Sequence, residues 1–373
     1  MPNNKIKILV AMSGGVDSSV AAALLVKAGF DVTGMFAVNY DEHASQDEAL
    51  AKSCWRPDYQ DALRVCAKLG IPLLRWDFKK EYQRDVLDYM YREYRAGRTP
   101  NPDVLCNKFV KFGAWLKKAR ALGFDLLVTG HYARIKKISA NNFSLQMSKD
   151  KNKDQTYFLN QLSQTQLKYV IFPIGQYTKP QVRALAKKLD LPTAQKEESM
   201  GICFVGEVPM KEFLQKKIKT KPGKIVSTKR EVLGEHTGLP FYTIGERVGA
   251  NQHCHSEPAS GRAKNLPDKT QPFYVVDKNF KKNELIVGEV NDVGLFKKEI
   301  IVSDVNWISG KSPKLPLKCL VRLRHRQELQ KATIKYFNIQ YSIFFDVPQR
   351  AVTPGQFAVF YKNRECLGGG VIK

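Results

Sequence analysis

The chain has 373 residues, of which 43% are apolar, and its formal net charge is +24. A chain of this length and apolar content is expected to form two or three globular domains, and no apolar run approaches the roughly 18 residues that a membrane span requires. Basic residues are in excess by 10 over residues 1–210 and by 14 over the shorter stretch 211–373. This balance favours a polyanionic partner such as nucleic acid, and a general lysine bias is the alternative source of the charge.

The N-terminal residues 1–5 are too few and too polar to form a signal or transit peptide. Seven cysteines without a regular spacing are typical of free thiols in a reducing compartment. We therefore expect a cytoplasmic protein that does not interact with a membrane.

A glycine-rich string near the N-terminus, Ser13–Ser19 (SGGVDSS), lies between the apolar run Ile6–Met12 and the Ala/Leu/Val-rich stretch Val20–Ala28. This order predicts a strand, a tight turn and a helix. Such a turn presents backbone N–H groups and the positive end of a helix dipole to an anion, and its serine hydroxyls are further donors. Because the string lacks the lysine of G-x-x-x-x-G-K-[ST], kinase or GTPase chemistry is disfavoured. The alternative is a turn without a ligand that is capped by Asp17.

The first half of the chain continues as alternating strands and helices, which predicts an α/β domain with a doubly wound parallel sheet. The predicted strands are Asp31–Val38, Leu73–Phe78 and Asp125–Thr129, and the predicted helices are Asp58–Leu69, Lys80–Ala96, Lys108–Leu122 and a helix capped at Thr178 that runs to Leu189. Ligands of such sheets bind beyond the carboxyl ends of the strands. The string Ser13–Ser19, Met35 and Gly130 are expected at such ends.

The pattern changes after about Lys211, where short strands and glycine turns begin. From about Glu289 onward the pattern is all-β. We therefore predict two small β-rich modules behind the α/β domain. The polar stretch 251–270, rich in Gly, Pro and Ser, is predicted to be a mobile loop.

Two cysteines lie in distinctive surroundings. Cys106 follows two prolines, which predict a rigid loop at Asp103 and place Cys106 at the start of the next helix. A helix N-terminus lowers the pKa of a thiol, and Lys108 is expected to add to this effect. Cys203 lies in the string SMGICF, which is predicted to be a loop.

The other cysteines carry weaker signals. Cys66, Cys319 and Cys366 are interpreted as small buried apolar residues, while Cys54 and Cys254 lie in predicted loops. Cys254 stands between two histidines, a possible zinc cluster, but further ligands at suitable spacing are missing and we predict no metal site. The chain has no C-x-x-C pair, which argues against an iron–sulfur enzyme.

Motifs along the whole chain together resemble the bacterial tRNA-specific 2-thiouridylase family, within the pyrophosphate-loop ATP pyrophosphatases. They are SGGVDSS (Ser13–Ser19), AGRTPNPDVLCNKFVKF (Ala96–Phe112), VTGHYAR (Val128–Arg134), KDQTYFL (Lys153–Leu159), GQYTKPQVR (Gly175–Arg183), SMGICFVGE (Ser199–Glu207), PGKI (Pro222–Ile225), YTIGERVG (Tyr242–Gly249), FYVVDK (Phe273–Lys278), RHRQ (Arg324–Gln327) and AVTPGQFAVFY…CLGGG (Ala351–Gly370). The resemblance implies an adenine nucleotide α-hydrolase-like domain over residues 1–211, a central β-rich domain over 212–288 and a C-terminal β-barrel over 289–373.

The resemblance also implies roles for single residues. Cys106 is the implied nucleophile and Cys203 the implied carrier of a persulfide. The residues implied to bind ATP are Ala11, Met12, Ser13, Gly14, Gly15, Val16, Asp17, Ser18, Met35 and Gly130. Those implied to contact the target base are Asn101, Pro102 and Asp103, and those implied to contact tRNA elsewhere are Lys153, Asp154, Gln155, Arg324 and His325.

The implied reaction is ATP-dependent adenylation of C2 of the wobble uridine in tRNA, followed by sulfur transfer to give 2-thiouridine, AMP and pyrophosphate. Mg²⁺ would neutralise the phosphates, with Asp17 either as its ligand or as a loop cap, and Asp103 is a possible general acid or base. Sulfur moves either by direct attack of the persulfide or through released sulfide, and both routes can join Cys106 and Cys203 as a disulfide. The implied partners are tRNA and a sulfur-donor protein, either a persulfide relay or a cysteine desulfurase.

Two other classes of function compete with this interpretation. One is a pyrophosphate-loop ligase or amidotransferase, which has no need of a second reactive thiol such as Cys203. The other is a non-catalytic RNA-binding protein that keeps an idle nucleotide loop.

Overall fold

The computed structural model describes residues 5–41, 55–197, 209–248 and 272–373. The predicted loop at 251–270 and the predicted loop around Cys203 lie outside these ranges. None of the helices within them has the length and apolar character needed to cross a bilayer.

The described strands, in chain order, are β1 Lys7–Ala11, β2 Asp31–Val38, β3 Leu73–Asp77, β4 Leu126–Val128, β5 Ala133–Ser139, β6 Asn142–Met147, β7 Val170–Ile171, β8 Gly223–Ser227, β9 Val232–His236, β10 Arg247–Val248, β11 Phe273–Asn279, β12 Glu284–Gly288, β13 Phe296–Trp307, β14 Leu317–Arg322, β15 Gln330–Phe337, β16 Gln340–Arg350, β17 Phe357–Lys362 and β18 Glu365–Ile372.

The described α-helices are α1 Val16–Lys27, α2 Arg56–Leu69, α3 Lys79–Tyr82, α4 Asp88–Arg95, α5 Pro102–Leu105, α6 Leu116–Ala121, α7 Gln164–Leu167, α8 Lys179–Lys188 and α9 Met210–Gln215. Two π-helical segments, Gln83–Leu87 and Cys106–Trp115, join α3 to α4 and α5 to α6. Short 3₁₀ turns cover Thr156–Leu159, Pro173–Gln176, Leu239–Phe241 and Val293–Leu295.

The first sheet is parallel, with strand order β3-β2-β1-β4-β7. The central strand β1 buries Ile8, Leu9 and Val10 completely, which is typical of a parallel strand covered by helices on both faces. The strand order reverses between β1 and β4, and such a switch point opens a crevice at the carboxyl ends of the strands. The predicted doubly wound α/β domain is confirmed.

Two β-rich units follow in the chain. The strands β10-β11-β12-β8-β9 form a five-stranded sheet around a small core that includes Val275, Leu285 and Val287. The strands β13-β16-β15-β14-β17-β18 form a six-stranded barrel that is closed by pairing of β13 with β18. The predicted β-rich modules and the C-terminal barrel are therefore confirmed.

The barrel is continuous with the first half of the chain. The hairpin of β5 and β6 extends the barrel sheet, because β6 pairs with β18 through Cys366 opposite Leu145. One apolar cluster also runs from Met35 and Cys106 in the α/β domain to Phe357 in the barrel. The α/β domain and the barrel thus share one apolar core, and Cys106 belongs to it.

Candidate functional site

The string Ser13–Ser19 follows β1 as a tight turn, as predicted, in which Ser13, Gly14 and Gly15 form the loop and Val16–Ser19 are the first residues of α1. Gly14 has a φ of 75°, and a Cβ at this position would lie 2.2 Å from the carbonyl oxygen of Asp58 at the start of α2. Only glycine satisfies both conditions. Within the described part of the chain, no side chain caps α1, so its first backbone N–H groups face the loop as an anion site.

Two of the three hydroxyls predicted to meet a ligand bond to the backbone of the loop. The buried hydroxyls of Ser18 and Ser19 donate to the carbonyl oxygen of Gly15 at 3.0 and 2.8 Å. Ser13 is exposed, and its Oγ lies 3.1 Å from that of Ser18. Of the three serines, Ser13 is therefore the one whose hydroxyl reaches solvent.

Asp17, in the first turn of α1, is held by two residues from elsewhere in the chain. Its carboxylate oxygens lie 2.7 and 2.9 Å from Nζ of Lys179, the first residue of α8. The Tyr132 hydroxyl donates to Asp17 Oδ1 at 2.9 Å. The loop-capping alternative for Asp17 is not what the structure shows, because these bonds leave the loop for Tyr132, just before β5, and for α8.

Gly130 and Met35 lie at the two sides of the loop. A Cβ on Gly130 would be 2.8 Å from the backbone of Asp17 and Ser18, so the end of β4 packs directly on α1. The Met35 side chain is fully buried, and its carbonyl accepts from the Met12 N–H at 2.8 Å. β2 therefore contacts the loop through the Met35 backbone, and the Met35 side chain lies in the core.

The helix that carries Cys106 begins earlier than predicted. Asn101 is its N-cap and accepts from the Val104 N–H at 3.2 Å, and Pro102 is its first residue. The prediction of a loop at Asp103 is wrong, because proline fits the first position of a helix without losing a hydrogen bond. Asp103 thus lies in the first turn, where a carboxylate is favoured by the helix dipole, and Cys106 follows one turn later.

Cys106 is fully buried and opens the π-helical segment Cys106–Trp115. Single π-helical turns occur frequently at functional sites. Lys108 was expected to lower the pKa of the Cys106 thiol, but its Nζ donates to Gln161 Oε1 at 3.1 Å and its own pKa is lowered by burial. The Lys108 ammonium is thus directed at Gln161.

The segment Gly97–Asn101, just before α5, is held by both β-rich units. Gln356 of the barrel donates to the carbonyls of Thr99 and Pro100 at 2.9 and 3.2 Å and accepts from Asn101 Nδ2 at 3.2 Å. From the five-stranded sheet, Lys278 Nζ donates to the Gly97 carbonyl at 3.0 Å. The position of the Cys106 helix therefore depends on contacts from two other parts of the fold.

The residues implied to contact tRNA form one cluster at the junction of the α/β domain and the barrel. Asp154 is buried and accepts from Thr156 Oγ1 at 2.6 Å and the Ser148 N–H at 2.9 Å, and it pairs with the buried Arg322 at 3.4 Å. Desolvation raises the pKa of Asp154 in spite of these bonds. Its side chain therefore bonds to other residues of the junction.

The neighbours of Asp154 differ in exposure. Arg324 is exposed and Lys153 is half-buried. His325 Nε2 lies 3.1 Å from the Asp154 carbonyl oxygen, and burial lowers the pKa of His325. Gln155 Oε1 accepts from the Tyr132 N–H at 2.9 Å, which connects this cluster through Tyr132 to Asp17 of the loop.

His131, the residue after Gly130, is buried between Phe112 and Phe172. The centroid of its ring lies 5.7 Å from that of Phe112 and 5.6 Å from that of Phe172. Its Nδ1 lies 2.6 Å from Thr129 Oγ1. Burial, with a contribution from the nearby Lys111, lowers the pKa of His131 well below 6.5. The imidazole is therefore neutral at pH 7.

Sequence reasoning missed Lys179, Tyr132 and Gln356 as parts of this site. Each stands in a quoted motif, but their side-chain contacts span 115 to 257 residues of sequence. One local signal was available for Lys179, because a cation at the first position of a helix opposes the helix dipole.

Cys203, Cys54 and Cys254 lie outside the described residues. Within the described ranges, no group of three or more His, Cys, Asp or Glu side chains is arranged to hold a metal ion. Burial raises the pKa of the Cys66 thiol to about 11 and that of Cys319 to about 12. Cys66 and Cys366 are buried, as predicted, whereas Cys319 is only half-buried.

Three family models match the chain in order. The tRNA methyl transferase HUP domain matches residues 6–207, the tRNA methyl transferase PRC-barrel domain matches 211–289, and the aminomethyltransferase beta-barrel domain matches 297–372. The chain is 44% identical over 367 residues to the tRNA-specific 2-thiouridylase MnmA of Bacillus cereus, which is 98% of this chain and 94% of that relative. It is 43% identical to the enzymes of the same name from Halalkalibacterium halodurans and Bacillus cytotoxicus, with the same coverage.

The fold and these matches place the chain in a class of enzymes, the tRNA-modifying sulfurtransferases that use ATP. In this class a HUP-type α/β domain is followed by two β-rich units. More narrowly, the chain belongs to the tRNA-specific 2-thiouridylase family, and the resemblance seen in its motifs is confirmed.

Proposed function

We propose that this chain converts the wobble uridine of tRNA to 2-thiouridine with consumption of ATP. The observation that carries the proposal is the loop at the switch point of the parallel sheet, where Gly14 and Gly130 allow close backbone packing around the N-terminus of α1, which no side chain of the described residues caps. This arrangement suits the phosphates of ATP. The residues proposed to bind ATP are Ala11–Ser18, Met35 and Gly130.

We propose roles for the remaining residues from their positions around this loop. Asn101, Pro102 and Asp103 contact the target base at the first turn of the Cys106 helix, and Asp103 acts as general acid or base. Lys153, Gln155, Arg324 and His325 contact tRNA, whereas the Asp154 side chain maintains the junction beneath them. The proposed domains are residues 1–211, 212–288 and 289–373.

The site is suited to Mg²⁺ because Asp17 brings one carboxylate to the phosphate loop. In phosphate sites, Mg²⁺ is usually bound by one or two carboxylates together with substrate oxygens. When bound, the ion neutralises charge on the phosphates. Among the residues that the structure describes, Asp17 would hold the Mg²⁺ ion.

The proposed chemistry begins when the C2 oxygen of uridine attacks the α-phosphate of ATP and displaces pyrophosphate. The terminal sulfur of a Cys203 persulfide then attacks C2 and displaces AMP, after which the Cys106 thiolate attacks the Cys203 sulfur and releases 2-thiouridine. Alternatively, Cys106 first displaces hydrosulfide from the persulfide, and this ion attacks C2. Either route leaves a Cys106–Cys203 disulfide, which an external thiol reduces. The sulfur comes from a donor protein, and we place the reaction in the cytoplasm with tRNA.

Mass spectrometry of nucleosides tests the proposal directly. Unmodified tRNA is incubated with the enzyme, ATP, Mg²⁺ and a persulfide source, and we expect ATP-dependent 2-thiouridine at the wobble position. Cys203→Ser should abolish thiolation but retain tRNA-dependent pyrophosphate release. The control Cys319→Ser, at a half-buried barrel thiol, should thiolate normally.

The competing functions give different results in the same assay. Pyrophosphate release without sulfur incorporation by the wild-type enzyme supports a ligase. Absence of pyrophosphate release in the presence of tRNA supports an RNA-binding protein without activity. Retained thiolation by the Cys203→Ser variant contradicts the persulfide role.

A further inference from the structure

An open pocket lies on the C-terminal barrel, across the strands β14, β15 and β17. Its volume of about 360 Å³ is within the range of small-ligand sites. Three exposed lysines line it, one from each strand: Lys318, Lys331 and Lys362. The fold therefore brings three cations from separate parts of the sequence to one cavity.

The register of these strands sets the spacing of the lysines. β14 lies between β15 and β17, and its residue Leu320 is opposite Lys331 on one side and Tyr361 on the other. Lys362 follows Tyr361 in the chain, so the backbones of Lys331 and Lys362 are two strand spacings, or roughly 10 Å, apart. Two long lysine side chains can contact a single ligand across this distance.

The charge of the pocket is not balanced by its surroundings. Among the residues that the structure describes, none of the three lysines forms an ion pair with a carboxylate. One acidic side chain, Asp346, also lines the pocket. Residues 318–335 contain six Lys and Arg residues and one acidic residue. Because like charges repel, an anion bound among the lysines is stabilised by all three.

The pocket adjoins the junction that carries the proposed tRNA contacts. Tyr361 of the pocket is fully buried in the apolar cluster that the α/β domain and the barrel share. Its ring centroid lies 5.5 Å from the guanidinium carbon of Arg322, which pairs with Asp154 at 3.4 Å. Lys318 lies near the start of β14 and Arg324 lies just beyond its end. A polyanion that contacts Arg324 can therefore continue along this strand to the pocket.

We propose that the pocket formed by Lys318, Lys331 and Lys362 binds a backbone phosphate of tRNA away from the reacting base. Lysine ammonium groups bind phosphate oxygens as point charges, and Thr333 and Asn363 of the same pocket offer further donors. Backbone contacts of this kind orient a nucleic acid without reading its sequence. This inference rests on the proposed function, because it takes tRNA as the substrate.

The test measures tRNA affinity as a function of salt. The double variant Lys331→Gln/Lys362→Gln should bind unmodified tRNA about 10-fold more weakly than the wild type. The slope of log Kd against log[KCl] should decrease by about 1 to 2, because fewer counterions are released on binding. In the thiolation assay, the KM for tRNA should rise while kcat stays unchanged, since the pocket does not touch the reacting atoms. Fluorescence anisotropy of labelled tRNA gives the affinities.

Two further variants separate the pocket from net charge and from misfolding. Lys27→Gln/Lys188→Gln removes two exposed lysines from the last turns of α1 and α8 and should bind tRNA like the wild type. Lys331→Arg/Lys362→Arg keeps both charges in the pocket and should also bind tRNA like the wild type. Thermal unfolding shows that each variant is folded.

Two results would overturn the inference. Equal loss of tRNA affinity in the two glutamine variants would mean that net charge alone sets the affinity. Because a free nucleotide offers the same phosphate chemistry, AMP is titrated calorimetrically without tRNA. A second bound equivalent of AMP that is lost in Lys331→Gln/Lys362→Gln would assign the pocket to free nucleotides instead. Absence of 2-thiouridine with the wild-type protein contradicts the proposed function, whereas the tRNA affinities still decide the role of the pocket.

Discussion

Two conditions require glycine at position 14. Its φ is positive, and the backbone of Asp58 occupies the space that a Cβ would need. Both arise because the loop turns sharply between β1 and α1 while it packs on the start of α2. The sequence alone indicates that a glycine is needed in such a turn, but the contact with Asp58 comes from a segment 44 residues away, which no local pattern can reveal.

We expect Gly14→Ala to move the loop and abolish measurable ATP binding, with a loss of unfolding free energy of about 1–3 kcal/mol from strain. Gly29→Ala is the matched control, because Gly29 also has a positive φ, of 82°, but has no neighbouring atom within 4 Å. The control should lose stability from its backbone and keep normal ATP affinity. Titration calorimetry and urea unfolding measure both effects, and normal ATP binding by Gly14→Ala would contradict the assignment of the loop.

His131 predicts a pH dependence of stability. Its pKa in the folded protein lies well below 6.5, the ordinary value that it keeps in the unfolded chain. At a pH between the two pKa values, the unfolded chain therefore binds a proton that the folded protein does not. Stability should therefore decrease as the pH falls below 6.5, by about 1 kcal/mol over the first pH unit from this residue. His131→Asn, which keeps an acceptor for Thr129, should show a shallower decrease in urea unfolding. An unchanged slope in the variant would mean that His131 is protonated in the folded protein.

At the scale of elements, the strands and most helix ends could be predicted because they depend on local chemistry. β2 was predicted to the residue, and α2 ends at Gly70 in the left-handed conformation. The capping box at Thr178 is also present. The start of the Cys106 helix was missed because proline was interpreted only as a helix breaker. The π-helical segments have no sequence signal that we can identify, and the buried state of Cys106 follows from its place in an apolar cluster that both domains share.

At the scale of the whole molecule, the nucleotide loop, the Cys106 helix and the barrel are connected by hydrogen bonds rather than by sequence neighbours. Gln155 contacts Tyr132, and Tyr132 contacts Asp17, while Gln356 holds the segment before α5. The family resemblance predicted which motifs matter but not these contacts, since each joins residues far apart in the chain.

Gln356 should therefore affect sulfur transfer more than nucleotide binding. We expect Gln356→Leu to lower the rate constant of thiolation about 10- to 100-fold, because small displacements of a reactive group have effects of this size, while ATP affinity stays unchanged. Gln349→Leu removes a different barrel amide, which is buried and bonds within the barrel and its adjoining loop, and serves as the control. A single-turnover assay gives the rate, and equal rates for the two variants would show that the segment does not position Cys106.

The pairing of β6 with β18 has a consequence for how the protein is made. Synthesis proceeds from the N-terminus, so the β5–β6 hairpin leaves the ribosome more than 200 residues before its partner strand. Until β18 is available, the nascent chain carries an open strand edge, the kind of surface that pairs with other chains and aggregates. A stalled or nicked product that lacks β18 is thus a target for chaperones rather than a working fragment.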